Sequence, residues 1–177
     1  MFTLSSEALH SSSTQISNDR STEPNMDPIC NGSFILVAAE NYVEANVAVG
    51  VPRQDAETMS DPRNKVRHDI EVDGDQIRWQ FFYPTAPKYN HTYDMKLGET
   101  IELQEPIPLS ITASKQDSRT FSCEMVTGSK KASYVVTFSL EGCNTQGCID
   151  GISFTMDFAR INIEVFNGKT ITSDDII

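Results

Sequence analysis

From about residue 33 onward, apolar side chains recur at every second position, in short runs separated by turn-forming residues. That period places alternate residues on opposite faces of an extended chain and predicts antiparallel strands with one buried face. The clearest case begins with Val66, His68, Ile70 and Val72, which alternate with Arg67, Asp69 and Glu71. Asp73-Gly74 then marks a tight turn, and Ile77, Trp79, Phe81 and Tyr83 alternate with Arg78, Gln80 and Phe82. Further strands are predicted at 91–97, 100–104, 108–115, 119–127, 132–140, 151–160 and 161–166, and 33–39 brings the count to ten. The segment 141–150, "EGCNTQGCID", reads as a long loop. The pattern breaks once. After the first strand, residues 41–60 predict two short helices: Tyr42, Ala45, Val47 and Val49 form a partly apolar face, Gly50 ends the first helix and Pro52 begins the second. The fold class expected is all-β: a ten-stranded antiparallel up-and-down barrel, or β-clam, whose mouth is capped by a helix-turn-helix lid. A barrel of this size leaves room for one small ligand.

Composition narrows the function. A chain of 177 residues is expected to form one domain. Residues 1–28, rich in Ser, Thr and Asn, are expected as a disordered extension, 29–170 as the barrel and 171–177 as an acidic tail. Met26 leaves open a start just ahead of the barrel. The net charge of −11 speaks against nucleic acid and against an anionic membrane surface as partners. No run is long and apolar enough to span a bilayer, and the first residues lack a secretory signal pattern, so a cytoplasmic monomer without stable membrane insertion is expected. Four cysteines in such a chain are expected as free thiols, with a Cys143–Cys148 bridge as the alternative. No phosphate loop, zinc-protease helix or nucleophile elbow occurs, so neither catalysis nor a cofactor is expected.

The segments "GSFILVAAENYVEANVAVGV", "DGDQIRW" and "YDMKLGE" together resemble the intracellular lipid-binding proteins of the fatty-acid-binding family. The Asp-Gly turn followed by Trp79, with Tyr83 on the same face, is most similar to the ileal bile-acid-binding subgroup. The resemblance covers roughly residues 30–169 and weakens beyond Glu99. It implies a carrier that holds an amphipathic molecule, of the fatty acid, bile acid or sterol class, inside the barrel.

Trp79 and Tyr83 are the leading candidate ligand contacts, with core packing as the alternative role. Tyr42 on the lid matches a position near the ligand entrance in the bile-acid subgroup. His68 and His91 alternate inward; without further ligands at close spacing they do not make a metal site, and His68 reads as a polar cavity residue. The family's last strand carries an Arg-x-Tyr pair that clamps a carboxylate. If that strand lies in 161–169, the matching positions hold Glu164 and Phe166; if it is 154–160, they hold Met156 and Phe158. A second inward arginine of the family falls near Thr137. No placement supplies an arginine, and no other side chain reproduces its bidentate fork. The expected ligand is therefore a sterol-like or bile-acid-like molecule, or one whose acid points to the mouth. The rival expectation is a diverged barrel whose filled interior leaves it an interaction module.

Overall fold

The computed structural model describes residues 26–104 and 108–161, and the backbone of 164–166 and 169–171. Its elements are β1 (Gly32–Glu40), α1 (Tyr42–Ala48), α2 (Arg53–Ser60), β2 (Arg67–Asp73), β3 (Gln76–Phe82), β4 (His91–Lys96), β5 (Thr100–Leu103), β6 (Leu109–Asp117), β7 (Thr120–Thr127), β8 (Lys130–Phe138), β9 (Gly142–Ile149) and β10 (Ile152–Ile161). The ten strands form one antiparallel sheet in the order β4-β3-β2-β1-β10-β9-β8-β7-β6-β5. Pairing of β1 with β10 joins the first and last strands of the barrel, whereas β4 and β5 form no ladder and leave a gap in the wall. The fold is the expected barrel with its two-helix lid.

Each strand turns its apolar face inward. Phe34, Leu36, Ile70, Ile77, Ile111, Phe121 and Val136 are fully buried. Phe34, Phe121 and Phe138 fill the end away from the lid, with ring centroids 5.7 and 5.8 Å apart for Phe34–Phe138 and Phe121–Phe138. Arg160 closes that end. Its guanidinium lies 4.7 Å from the Phe34 ring and donates to the carbonyls of Asn31 and Leu140, at 2.7 and 3.2 Å, and of Ile29. Residues 26–28, expected within the N-terminal extension, instead belong to this base. Met26 is buried, and the Asp27 carboxylate accepts from the Ile29 amide and pairs with Arg119 at 3.0 Å. Residues 1–25 and the expected acidic tail lie outside the described residues, apart from the backbone of residue 171.

The lid hangs on a few specific contacts. Asn41 takes a left-handed conformation (φ 56°), which an asparagine tolerates, and so turns β1 into α1. Arg53 of α2 grips Glu44 of α1 through two hydrogen bonds of 2.9 Å. Asp55 of α2 receives hydrogen bonds of 2.7 Å from both Lys88 Nζ and the Tyr89 hydroxyl, fastening the lid to the segment before β4.

Two expectations about the C-terminal half need correction. The segment 141–150 is not a loop but the ninth strand, paired on both sides, with β8 and with β10. The barrel then finishes at Ile161, and residues 164–166 pair with 169–171 in a separate short hairpin. "INIEVF" is therefore not the tenth barrel strand. The same correction removes the Cys143–Cys148 bridge. On one strand, residues five apart point to opposite faces and lie about 16 Å apart, and all four thiols are free.

Candidate functional site

Beneath the lid the barrel is hollow. An outer chamber of about 270 Å³ opens at the gap between β4 and β5 and is lined by the α1–α2 connection, Met59 of α2, Tyr89, Leu103, Leu109 and the start of β8. An inner chamber of about 150 Å³ lies against Trp79, Phe81, Tyr83, Ile111, Thr145 and Met156. Asn46, Met59, His91, Tyr93, Met125 and Tyr134 line both, so only side chains separate the two spaces.

The electrostatics of this interior are simple. Among the described residues no lysine, arginine or carboxylate lines the inner chamber. Burial holds the phenols of Tyr83, Tyr93 and Tyr134 above their ordinary values, and for Tyr83 the neighbouring Tyr42 adds to the effect. Burial also lowers the pKa of His91 and pushes that of His68 down to about 3. Both imidazoles are thus neutral at pH 7. Among the described residues the cations are at the outer chamber, Lys130 and Lys131. Lys130 bonds to the Ala48 carbonyl and to Asp150 Oδ2, at 2.9 Å for the latter. Lys131 is exposed and makes no ion pair among the described residues. Among the described residues three buried, inward-facing polar atoms lack a partner: Trp79 Nε1 and Thr145 Oγ1 at the inner chamber, and His68 Nδ1 behind it. Buried groups of this kind are costly unless water or a ligand satisfies them.

Of the candidate residues, Trp79, Tyr83 and Tyr42 come together on the inner chamber. The Tyr42 ring packs 5.1 Å from Phe154, which holds it over the cavity. His68 points inward but lines neither chamber. It lies among Trp79, Phe81 and Phe158, with ring centroids 5.6, 4.5 and 4.3 Å away. Thr137 is a correction: it is exposed on the outer face of β8, and its neighbours Val136 and Phe138 point inward. The side chains of Glu164 and Phe166 lie outside the described residues, and their backbone belongs to the hairpin, not to the barrel. The alternative positions, Met156 and Phe158, point inward on β10, as Phe154 does, and are 5 % and 3 % exposed. The strand that would carry a carboxylate clamp thus presents a thioether and a phenyl ring. Among the described residues no cluster of His, Cys, Asp and Glu is arranged to hold a metal ion.

Sequence reasoning missed Asn46, Tyr93, Tyr134 and Thr145. Tyr93 and Tyr134 were legible by alternation, being in phase with His91 and with Val136 respectively. Thr145 was hidden inside the segment read as loop.

No model of a known protein family matches the chain, and no curated protein matches it in sequence. Solved structures do match in shape. A REP1-NXSQ fatty acid transporter aligns with a TM-score of 0.65 at 16 % identity, over 76 % of this chain and 97 % of its own. The Schistosoma mansoni fatty acid binding protein in complex with arachidonic acid gives 0.66 at 14 %, over 76 % and 98 %. The chain has the fold of the fatty-acid-binding proteins. The fluorescent protein UnaG, at 0.62 and 13 % identity over 73 % of this chain and 96 % of its own, has the same fold. So low an identity carries the fatty-acid-binding-protein fold and nothing about the contents of the cavity. The ileal bile-acid subgroup finds no support among these likenesses.

Proposed function

We propose that the protein is a cytoplasmic carrier that binds one hydrophobic or amphipathic small molecule in the barrel and does no chemistry on it. The observation that carries this reading is the hollow interior: two adjoining chambers of about 270 and 150 Å³ with mostly apolar walls, beneath a lid and beside a gap in the sheet. Apolar ligand surface moved from water into such a space contributes about 25 cal/mol per Å², and a few polar groups set orientation. Two proteins of the same fold are named for fatty acids, which favours a lipid. The walls speak about its chemistry. With Met156 and Phe158 where an anion clamp would sit, and no cation at the inner chamber, an acid group belongs at the mouth beside Lys130 and Lys131. A sterol-like or bile-acid-like ligand, or a fatty acid bound head-outward, meets that requirement. Trp79, Tyr83 and Tyr42 are its expected contacts. The rival reading, a barrel filled by its own side chains and used as an interaction module, has the open chambers against it.

The test is a titration of delipidated protein with a cavity-binding fluorescent dye, followed by displacement with oleate, a bile salt, a neutral sterol and retinol. Trp79 is the single tryptophan, so its emission reports filling of the inner chamber independently. Stoichiometric displacement with a change in Trp79 emission is expected. A dye that never binds would overturn the carrier reading.

A further inference from the structure

The six residues shared by the two chambers form a waist, and four of them bear polar atoms: Asn46, His91, Tyr93 and Tyr134. Asn46 donates its Nδ2 to the Tyr42 carbonyl at 2.8 Å, and its side chain also bonds the Tyr42 hydroxyl. His91 Nδ1 lies 2.7 Å from the Tyr89 carbonyl. A carbonyl oxygen only accepts, so Nδ1 carries the hydrogen and, in the neutral ring, Nε2 is left as a lone-pair acceptor. The ring is held flat by stacking on Phe81, centroids 4.2 Å apart, and by Tyr93 at 4.7 Å. The hydroxyls of Tyr93 and Tyr134 have no hydrogen-bond partner among the described residues. Two phenols without partners among the described residues and one open acceptor, His91 Nε2, therefore meet half-way along an otherwise apolar cavity, with no charge among them.

We infer that this waist reads a neutral oxygen carried part-way along the bound molecule, a hydroxyl above all, so that the preferred ligand is an oxygenated lipid rather than a plain one. The inference rests on the carrier reading and specifies the ligand class for it. A mid-chain hydroxyl can donate to His91 Nε2 while it accepts from a tyrosine, satisfying both kinds of group at once. A ketone can only accept, and so uses the phenols alone. A methylene at the same place leaves every one of these groups unpaired, which is where discrimination arises. An ionised acid has no counter-charge at the waist and stays at the mouth. Ligand length thus divides into an apolar end in the inner chamber, an oxygen at the waist and a head group outside.

The experiment compares stearate with 10-hydroxystearate, 12-hydroxystearate and 12-oxostearate by dye displacement on the full chain. It is repeated for Tyr93→Phe, Tyr134→Phe, His91→Phe and His91→Gln, each checked for fold by near-UV circular dichroism. The wild type is expected to bind at least one hydroxy acid roughly fivefold to tenfold more tightly than stearate, the scale of one added hydrogen bond. One or both phenylalanine variants at the tyrosines should lose that preference, weakening the hydroxy acid several-fold more than stearate. His91→Phe should lower affinity for the hydroxy acid but not for the keto acid, and His91→Gln, which keeps an acceptor, should restore part of the loss. Should His91→Phe not fold, the glutamine variant and the two tyrosine variants decide alone. Equal or tighter binding of stearate by the wild type would overturn the inference, as would a hydroxyl preference that survives in every variant. Dye that never binds at all is a different result and sinks the carrier reading itself.

Discussion

His68 shows how a single side chain can set the acid limit of the whole barrel. It is 2 % exposed, enclosed by aromatic rings, with Nδ1 unpartnered, and burial holds it neutral down to a pKa of about 3. In the unfolded chain the same imidazole titrates near pH 6.5. Its folded pKa lies below its unfolded one, so the unfolded state binds the extra proton first. Stability is then complete above about pH 6.5 and falls as the pH drops towards 3, by up to about 1.4 kcal/mol per pH unit. His91, also lowered, adds to the same slope. Urea midpoints at pH 8, 7, 6 and 5 should be level down to 7 and decline below it. His68→Phe, an aromatic fit for an aromatic nest, should flatten much of that decline and leave stability at pH 8 equal or higher. A wild-type midpoint that does not move between pH 7 and 5 would contradict the neutral, buried imidazole.

At the scale of elements, β9 is where sequence and structure part. Its residues, "GCNTQGCI", hold two glycines and an asparagine and little that favours a strand. Packing explains both glycines. A Cβ on Gly142 would meet the Phe158 carbonyl oxygen at 1.9 Å, and one on Gly147 would meet the Phe154 ring at 2.4 Å. Phe154 in turn packs against Tyr42 of the lid and Tyr134 of the waist, at 5.1 and 5.7 Å. Gly147→Ala should therefore push that ring out of place, lower stability by about 1–3 kcal/mol and weaken dye binding together with it. Unchanged thermal unfolding would show that the ring has room to move. One signal did mark the strand's end: Asp150-Gly151, both at positive φ, is the two-residue hairpin turn to β10. Elsewhere the alternation was legible because one face meets the core and the other water. It placed Trp79, Tyr83 and His68 inward, and the helical spacing placed Tyr42 on the lid. Missing β9 shifted the end of the barrel to 161–166, and with it the clamp positions to Glu164 and Phe166. Thr137 failed for a simpler reason: a shift of one residue along a strand exchanges the faces.

For the whole molecule, charge and lid together decide how a ligand leaves. The protein carries a net charge of −11, and the lid adds Glu44, Asp55 and Glu57 against Arg53, whose charge Glu44 already meets. An anionic bilayer therefore has little to attract it, and what repulsion exists is screened beyond about 10 Å at 0.1 M salt. Exit then depends on the lid opening by itself. The fastening most exposed to this motion is Asp55, whose carboxyl is held below its ordinary pKa by the hydrogen bonds from Lys88 and Tyr89. Tyr89 also lines the outer chamber, so releasing it loosens both lid and wall. Transfer of a fluorescent fatty acid to acceptor vesicles should proceed at a rate independent of vesicle concentration and of anionic lipid content. Asp55→Asn replaces the charged acceptor with an amide, and should raise that rate several-fold while leaving it independent of the vesicles. Acidification of the wild type should release this fastening only below the ordinary range of a free carboxylate, since the hydrogen bonds from Lys88 and Tyr89 favour the charged form. A transfer rate that climbs with vesicle concentration would mean instead that the lid is opened by collision, and that some basic surface, outweighed in the net charge, meets the bilayer first.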